Sequence, residues 1–144
     1  MSASRNTGGR GPTFAPTSPM AVLFVDPDME GAERLARALP NLSAFAVVPT
    51  AQAALSAIAV RVPDLVVSEI DLPDGNGVQL LARIHGAAAT RRVLLMVLTH
   101  RATVRDKIAA FQAGADDFLV KPVDADQLAT HVRLVSRFRQ VTSN

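Results

Sequence analysis

The sequence predicts an α/β domain: a doubly wound, five-stranded parallel sheet with helices on both faces. Three observations point there. Short apolar runs alternate with longer helix-patterned segments from residue 20 onward, the pattern produced by right-handed β-α crossovers. Residues 93–99 form a near-continuous apolar run, as a strand covered on both faces requires. Finally, the chain is 49% apolar but only 4% aromatic, with many Ala, Val and Leu, which suits helices laid over such a sheet.

Each element has its own signal. Residues 21–25 read as the first strand. Residues 30–39 place Ala32, Leu35, Ala36 and Leu39 on one helical stripe, and Pro40-Asn41 stops it. Residues 45–48 are a second strand. Thr50 can cap a small, Ala-rich helix running through Ile58, closed off by Pro63. Residues 65–69 are the third strand, and Asn76 with Gln79 resembles a capping box for a helix through Ile84. The apolar run 93–99 is the fourth strand. Thr103 with Asp106 starts the next helix and Gly114 ends it; 118–120 is the last strand, and Asp124 with Gln127 caps a final helix to about Arg139.

Composition sets the bounds. The 144 residues suit one compact domain with a real core. Residues 1–19 read as a disordered tail, 20–140 as the domain, and 141–144 as a C-terminal tail or the start of a linker. The Gly-, Pro-, Ser- and Thr-rich opening lacks the long apolar middle of a secretory signal. No apolar run approaches the ~20 residues of a membrane span. With no cysteine, disulfides, thiolate metal sites and thiol nucleophiles are excluded, and a cytoplasmic location is expected. The net charge of +2 does not imply nucleic acid: without Arg5 and Arg10 the chain has 13 bases against 13 acids. A phosphate-binding face needs clustered Lys and Arg, whereas Arg133, Arg137 and Arg139 read as favourable charges near a helix end.

In open sheets of this class, ligands bind beyond the carboxyl ends of the strands. Asp26 and Asp28 follow the first strand, Glu69 ends the third, Thr99 ends the fourth and Lys121 follows the fifth. Carboxylates, a hydroxyl and an ammonium therefore meet on one rim. An α/β hydrolase or nucleotide-binding enzyme lacks support, since there is neither a Gly-x-Ser-x-Gly elbow nor a phosphate-binding glycine loop opening a helix.

Asp26, Thr99, Lys121-Pro122, the Gly114-Ala115-Asp116-Asp117-Phe118 approach to the last strand and the Leu72-Pro73 turn together resemble the response-regulator receiver domain of two-component signalling. The resemblance spans residues 21–139. It implies a flavodoxin-like sheet of order 2-1-3-4-5 and a non-enzymatic module. Its partners would be a histidine kinase or an output domain, and homodimers would form through the fourth helix, fifth strand and fifth helix, with no direct contact to nucleic acid or membrane. On that face it places Lys107, Asp116, Asp117, Arg133 and Arg137, with Phe118 at a switching position. It also implies a weak magnesium site at Asp26, Glu69 and Asp71, with Asp28 a possible further ligand.

Two departures concern chemistry. Pro27 stands where receivers carry the second acid of a pair, and it has neither carboxylate nor N–H. Glu69 stands where they carry the phosphorylated aspartate. One more methylene pushes the carboxylate about 1.5 Å outward, and misplacement on the order of 1 Å spoils in-line attack. The same reach carries the charge toward Thr99 and Lys121, so Glu69 can imitate the phosphorylated state, although with one negative charge against about two. Alternatives stand beside this reading. Glu69 and Lys121 could be a plain structural ion pair. Asp71 or Glu69 could still accept a phosphoryl group with magnesium, possibly regulating a DNA-binding domain fused to the receiver or carried by a partner. Thr99 could be an ordinary strand end, His100 an exposed loop histidine, and Phe118 a half-buried strand residue.

Overall fold

The computed structural model describes residues 19–143, with side chains as far as Arg137. The expected disordered tail lies outside the described residues except for Pro19. Five parallel strands form the main sheet: β1 (Met20–Val25), β2 (Leu42–Val48), β3 (Leu65–Ser68), β4 (Leu94–Thr99) and β5 (Asp117–Val120). Between them run α1 (Met29–Ala38), α2 (Ala51–Val60), α3 (Gly77–Gly86) and α4 (Val104–Gln112), and α5 (Ala125–Ser143) closes the domain. The strand order is β2-β1-β3-β4-β5. Every neighbour pair in it is parallel, and the order in which strands are added turns back between β1 and β3, where such a sheet leaves a crevice at the strand ends.

Burial follows the sequence pattern. All six residues of β4 are buried, which is why that strand reads as an unbroken apolar run. Alternate strand residues feed two cores. Val22, Phe24, Val67, Met96 and Leu98 meet Ala32 and Ala36 of α1 and Leu128 and Val132 of α5. Leu23, Val25, Val66, Leu95 and Val97 meet Ile58 of α2, Leu80, Leu81 and Ile84 of α3, and Ala110 of α4. The helices therefore divide two and three across the sheet, and β2, on the outer edge, has no fully buried residue.

The helices start where short polar side chains can take up unpaired first-turn N–H groups. Asp28 accepts from Gly31 at 3.1 Å and Thr50 from Ala53 at 3.0 Å. Asn76 accepts from Val78 at 2.7 Å, one residue earlier than the capping-box bond expected from Gln79. Asp124 and Gln127 do form a reciprocal box, at 2.7 and 3.4 Å. Gly114 leaves α4 at φ 113°, a conformation that L side chains rarely adopt.

Most boundaries shift by one or two residues, and three features differ by more. β2 begins at Leu42, three residues early, because Asn41 turns the chain at φ 63° and lets polar Ser43 join an exposed edge. α5 continues to Ser143 instead of ending near Arg139, since nothing in residues 140–143 breaks a helix. A two-residue antiparallel ribbon, Asp71–Leu72 with Gly75–Asn76, fills what reads in sequence as a plain turn.

Candidate functional site

The rim is built by strand ends that deliver side chains at fixed heights. The Glu69 N–H still bonds to the Val25 carbonyl at 2.9 Å, which anchors the residue just past β3 beside Asp26. Asp26, Glu69 and Thr99 are all buried, Glu69 with 3% of its surface exposed. Lys121 is half-buried and reaches across from the end of β5, placing its ammonium 2.8 Å from Asp26 Oδ2 and 3.2 Å from Glu69 Oε1.

The Glu69 carboxylate is thoroughly hydrogen-bonded. Its Oε2 accepts from the Thr99 hydroxyl, from the Ile70 N–H at 2.7 Å and from the Asp71 N–H at 3.3 Å. Its Oε1 faces Lys121 and, at 3.2 Å, His100 Nδ1. Burial pushes this carboxyl up, but Thr99, the Ile70 N–H, Lys121 and His100 together hold it below its ordinary value. Burial likewise pushes the Lys121 ammonium down, and Asp26 and Glu69 outweigh it, holding Lys121 above its ordinary value. The pair is thus charged on both sides.

A second tier lies outside the first. His100 Nε2 sits 3.1 Å from Asp71 Oδ2, and Arg101 Nη1 donates to Asp71 Oδ1 at 2.9 Å. The other edge of the Arg101 guanidinium holds Asp106 at 3.1 and 3.3 Å. Asp106 in turn accepts from the Thr103 hydroxyl at 2.7 Å, while the Thr103 oxygen caps α4 through the Asp106 N–H at 3.0 Å. Hydrogen bonds therefore run from Glu69 to the first turn of α4. Arg101 is the residue that sequence reading missed; its only signal is a base two positions after Thr99.

The structure brings Asp26, Glu69, Thr99 and Lys121 together as the spacing predicts. Asp71 is close by, its N–H reaching Glu69 Oε2 at 3.3 Å and its carboxylate facing His100 and Arg101. Asp28 is exposed and caps α1 through Gly31. Asp26 Oδ1 instead accepts from the Asp28 N–H at 2.9 Å. Phe118 is half-buried against the core that includes α4, with its ring 6.5 Å from that of Phe111.

On the presumed interaction side, Lys107 and Arg133 are exposed and Arg137 is half-buried. Asp117 holds His131 at 2.6 Å across β5 and α5. Asp116 is exposed, and its Oδ2 accepts from the Leu95 N–H at 2.8 Å. Sequence reading passed over an apolar stripe beside these charges: Val104, Ile108 and Phe111 are exposed at i, i+4, i+7 on α4.

Buried Asp26, Glu69 and Thr99 with half-buried Lys121 at the carboxyl edge of a five-stranded parallel sheet define a doubly wound α/β domain with a charged rim. Residues 22–133 match the family model described as the response regulator receiver domain, and the chain belongs to that family. It is 38% identical over 130 residues to the transcriptional regulatory protein PrrA of Mycobacterium tuberculosis, covering 88% of this chain and 54% of the relative. To the KDP operon transcriptional regulatory protein KdpE of Escherichia coli it is 37% identical over 94 residues, covering 65% and 40%. The chain thus spans about half the length, or less, of these curated relatives. The fold matches a CheY-like receiver domain protein of Methanospirillum hungatei with a TM-score of 0.80 at 23% identity, over 87% of this chain and 99% of that one. Receiver domains work with histidine kinases and output domains, and no described helix is long and apolar enough to cross a membrane.

Proposed function

We propose that this chain is a pseudo-receiver: a cytoplasmic, non-enzymatic receiver domain that signals by protein–protein contact, with Glu69 standing in for the phosphorylated aspartate. The observation that carries this reading is the position of the Glu69 carboxylate. It is buried and bonded to Thr99 and Lys121, the two groups that would otherwise contact the oxygens of a phosphoryl group on an aspartate here. A charged carboxylate there supplies the pull on Thr99 and Lys121 constitutively. The output surface is the face of α4, β5 and α5, where exposed Val104, Ile108 and Phe111 lie among Lys107 and Arg133. Such a face suits a second copy, a histidine kinase or an output domain.

The test is exposure of the protein to a small phosphodonor with magnesium, read by intact mass. No phosphoryl gain is expected, because Glu69 misplaces the attacking oxygen. A gain of one phosphoryl group, lost on Asp71→Asn or Glu69→Gln, would establish a working acceptor instead. Glu69→Gln tests the output arm and should weaken self-association or partner binding through the α4–α5 face. If it leaves both intact while Arg133→Ala abolishes them, the face works independently of the rim.

A further inference from the structure

The rim residues that the family would offer a divalent cation do not fit one here, and the misfit has a definite cause. Each of the six oxygens on Asp26, Glu69 and Asp71 already has a partner in the chain, five of them a donor and the sixth, Asp71 Oδ2, the His100 Nε2 at 3.1 Å. For Asp26 these are the Asp28 N–H and Lys121. For Glu69 they are Lys121 and His100 on Oε1, and Thr99 with the Ile70 and Asp71 N–H groups on Oε2. For Asp71 they are Arg101 and His100. A carboxylate oxygen has about two acceptor positions, so both oxygens of Glu69 are filled. Magnesium demands open oxygen ligands in near-octahedral array, and Pro27 supplies no carboxylate to the set.

We infer that this rim is closed from within: the charges of Lys121 and Arg101, with His100 bridging between carboxylates, take the place of the divalent cation, and Arg101 connects the closed rim to α4. This rests on the pseudo-receiver reading and adds to it how the site is held in one state without a ligand. Lys121 joins Asp26 to Glu69, doing by ion pairing what a metal does by coordination. His100 bridges Glu69 to Asp71, closing the outer side. Arg101 then spans Asp71 and Asp106 with opposite edges of its planar fork, and Asp106 is bonded to the cap of α4. A point charge cannot reproduce that geometry, because only a guanidinium presents donors along two edges at once. Arg101 is therefore a positioning residue whose charge excludes metal and whose shape tethers α4.

Charge and shape can be separated by experiment on the full chain. Isotope-labelled protein is titrated with magnesium chloride and, as a paramagnetic probe, manganese chloride, while amide exchange is followed in the first turn of α4. The wild type should show no saturating shifts at the rim up to millimolar magnesium. A His100→Asn, Arg101→Gln double variant should bind about tenfold more tightly, with shifts centred on Asp26, Glu69 and Asp71, since two partly exposed donors have been removed. Arg101→Lys should keep the wild-type refusal of metal yet exchange the Asp106 and Lys107 amides faster, because charge is restored and the fork is not. Dispersed spectra for each variant report that it is folded. Sub-millimolar saturation of the wild-type rim, or a double variant that binds no more tightly, would overturn the inference. So would an Arg101→Lys variant whose α4 exchange matches the wild type. The outcomes also separate this inference from the functional reading. Magnesium uptake without a phosphoryl mass gain sinks this inference alone, and a phosphoryl gain in a rim that refuses magnesium sinks the functional reading alone.

Discussion

Two acid–base contacts lie at opposite ends of β5, and their chemistry is similar while their surroundings are not. At the carboxyl edge, Glu69 pairs with Lys121 where the Glu69 side chain is 4% exposed. At the amino end, Asp117 meets His131 at a shorter 2.6 Å, with side chains 24% and 35% exposed. The shorter contact is the weaker determinant. Water competes for Asp117 and His131 and screens their attraction, whereas Glu69 and Lys121 have given up much of their hydration and depend on each other. Distance alone does not rank ion pairs; the loss of water around them does.

Breaking the buried side should give the largest effect. Glu69→Ala should lower unfolding free energy by about 3 kcal/mol, near the bottom of the range for splitting a buried pair, because Lys121 keeps Asp26 as a partner. Urea denaturation measures this, and a loss within the error of the method would place Glu69 with the surface pairs. Lys121→Met should cost about 2 kcal/mol, as it leaves two carboxylates facing each other around an ammonium that was only half-buried.

The acid limb of the stability curve sharpens the contrast further. The Glu69 carboxyl is held below its ordinary value of 4.5 in the folded chain, so its contribution is complete above that pH. It is lost as pH falls from there through the lower folded value. Lys121 runs the other way. Its folded value is raised above 10.5, so its contribution is complete below that pH and disappears as pH climbs through the folded value. Chemical denaturation across pH should therefore show wild type and Glu69→Gln converging in acid. Curves that stay parallel down to full carboxylate protonation would mean that Glu69 is not held in its charged form by the fold.

At the small end, His131→Ala should change stability by less than about 1 kcal/mol, as exposed pairs do. A larger loss would show that the β5–α5 contact is structural and would erase the difference between the two sites.

Much of this was legible in the residues. The unbroken 93–99 run announced a strand buried on both faces, and four strand ends carrying Asp26, Glu69, Thr99 and Lys121 announced the rim. Those signals survive because period and position depend only on local chain geometry. Other features needed three dimensions. Arg101 looks like any loop arginine until folding sets Asp71 and Asp106 on either side of it. Asp116 reads as a surface charge and is exposed, yet the chain path also lets it cap the Leu95 backbone N–H. Asp74 lies 22 residues from Gln52 and still caps α2 through the Ala51 and Gln52 N–H groups, each at 2.9 Å. Long-range partners of that kind leave no periodic trace.

Gly77 carries one last consequence. It opens α3, donates its N–H to the Ile70 carbonyl at 2.8 Å, and lies so near the Glu69 carbonyl that an added Cβ would overlap it. Intrinsic helix preference favours alanine over glycine by about 1 kcal/mol, so a consensus-minded engineer would replace it. Here that instinct misleads, since the methyl group would be driven into backbone that positions Glu69. A different side chain at 69 would not touch this contact, but the floor beneath it admits only hydrogen. An evolving lineage can therefore exchange what the rim says far more readily than it can rebuild where the rim stands.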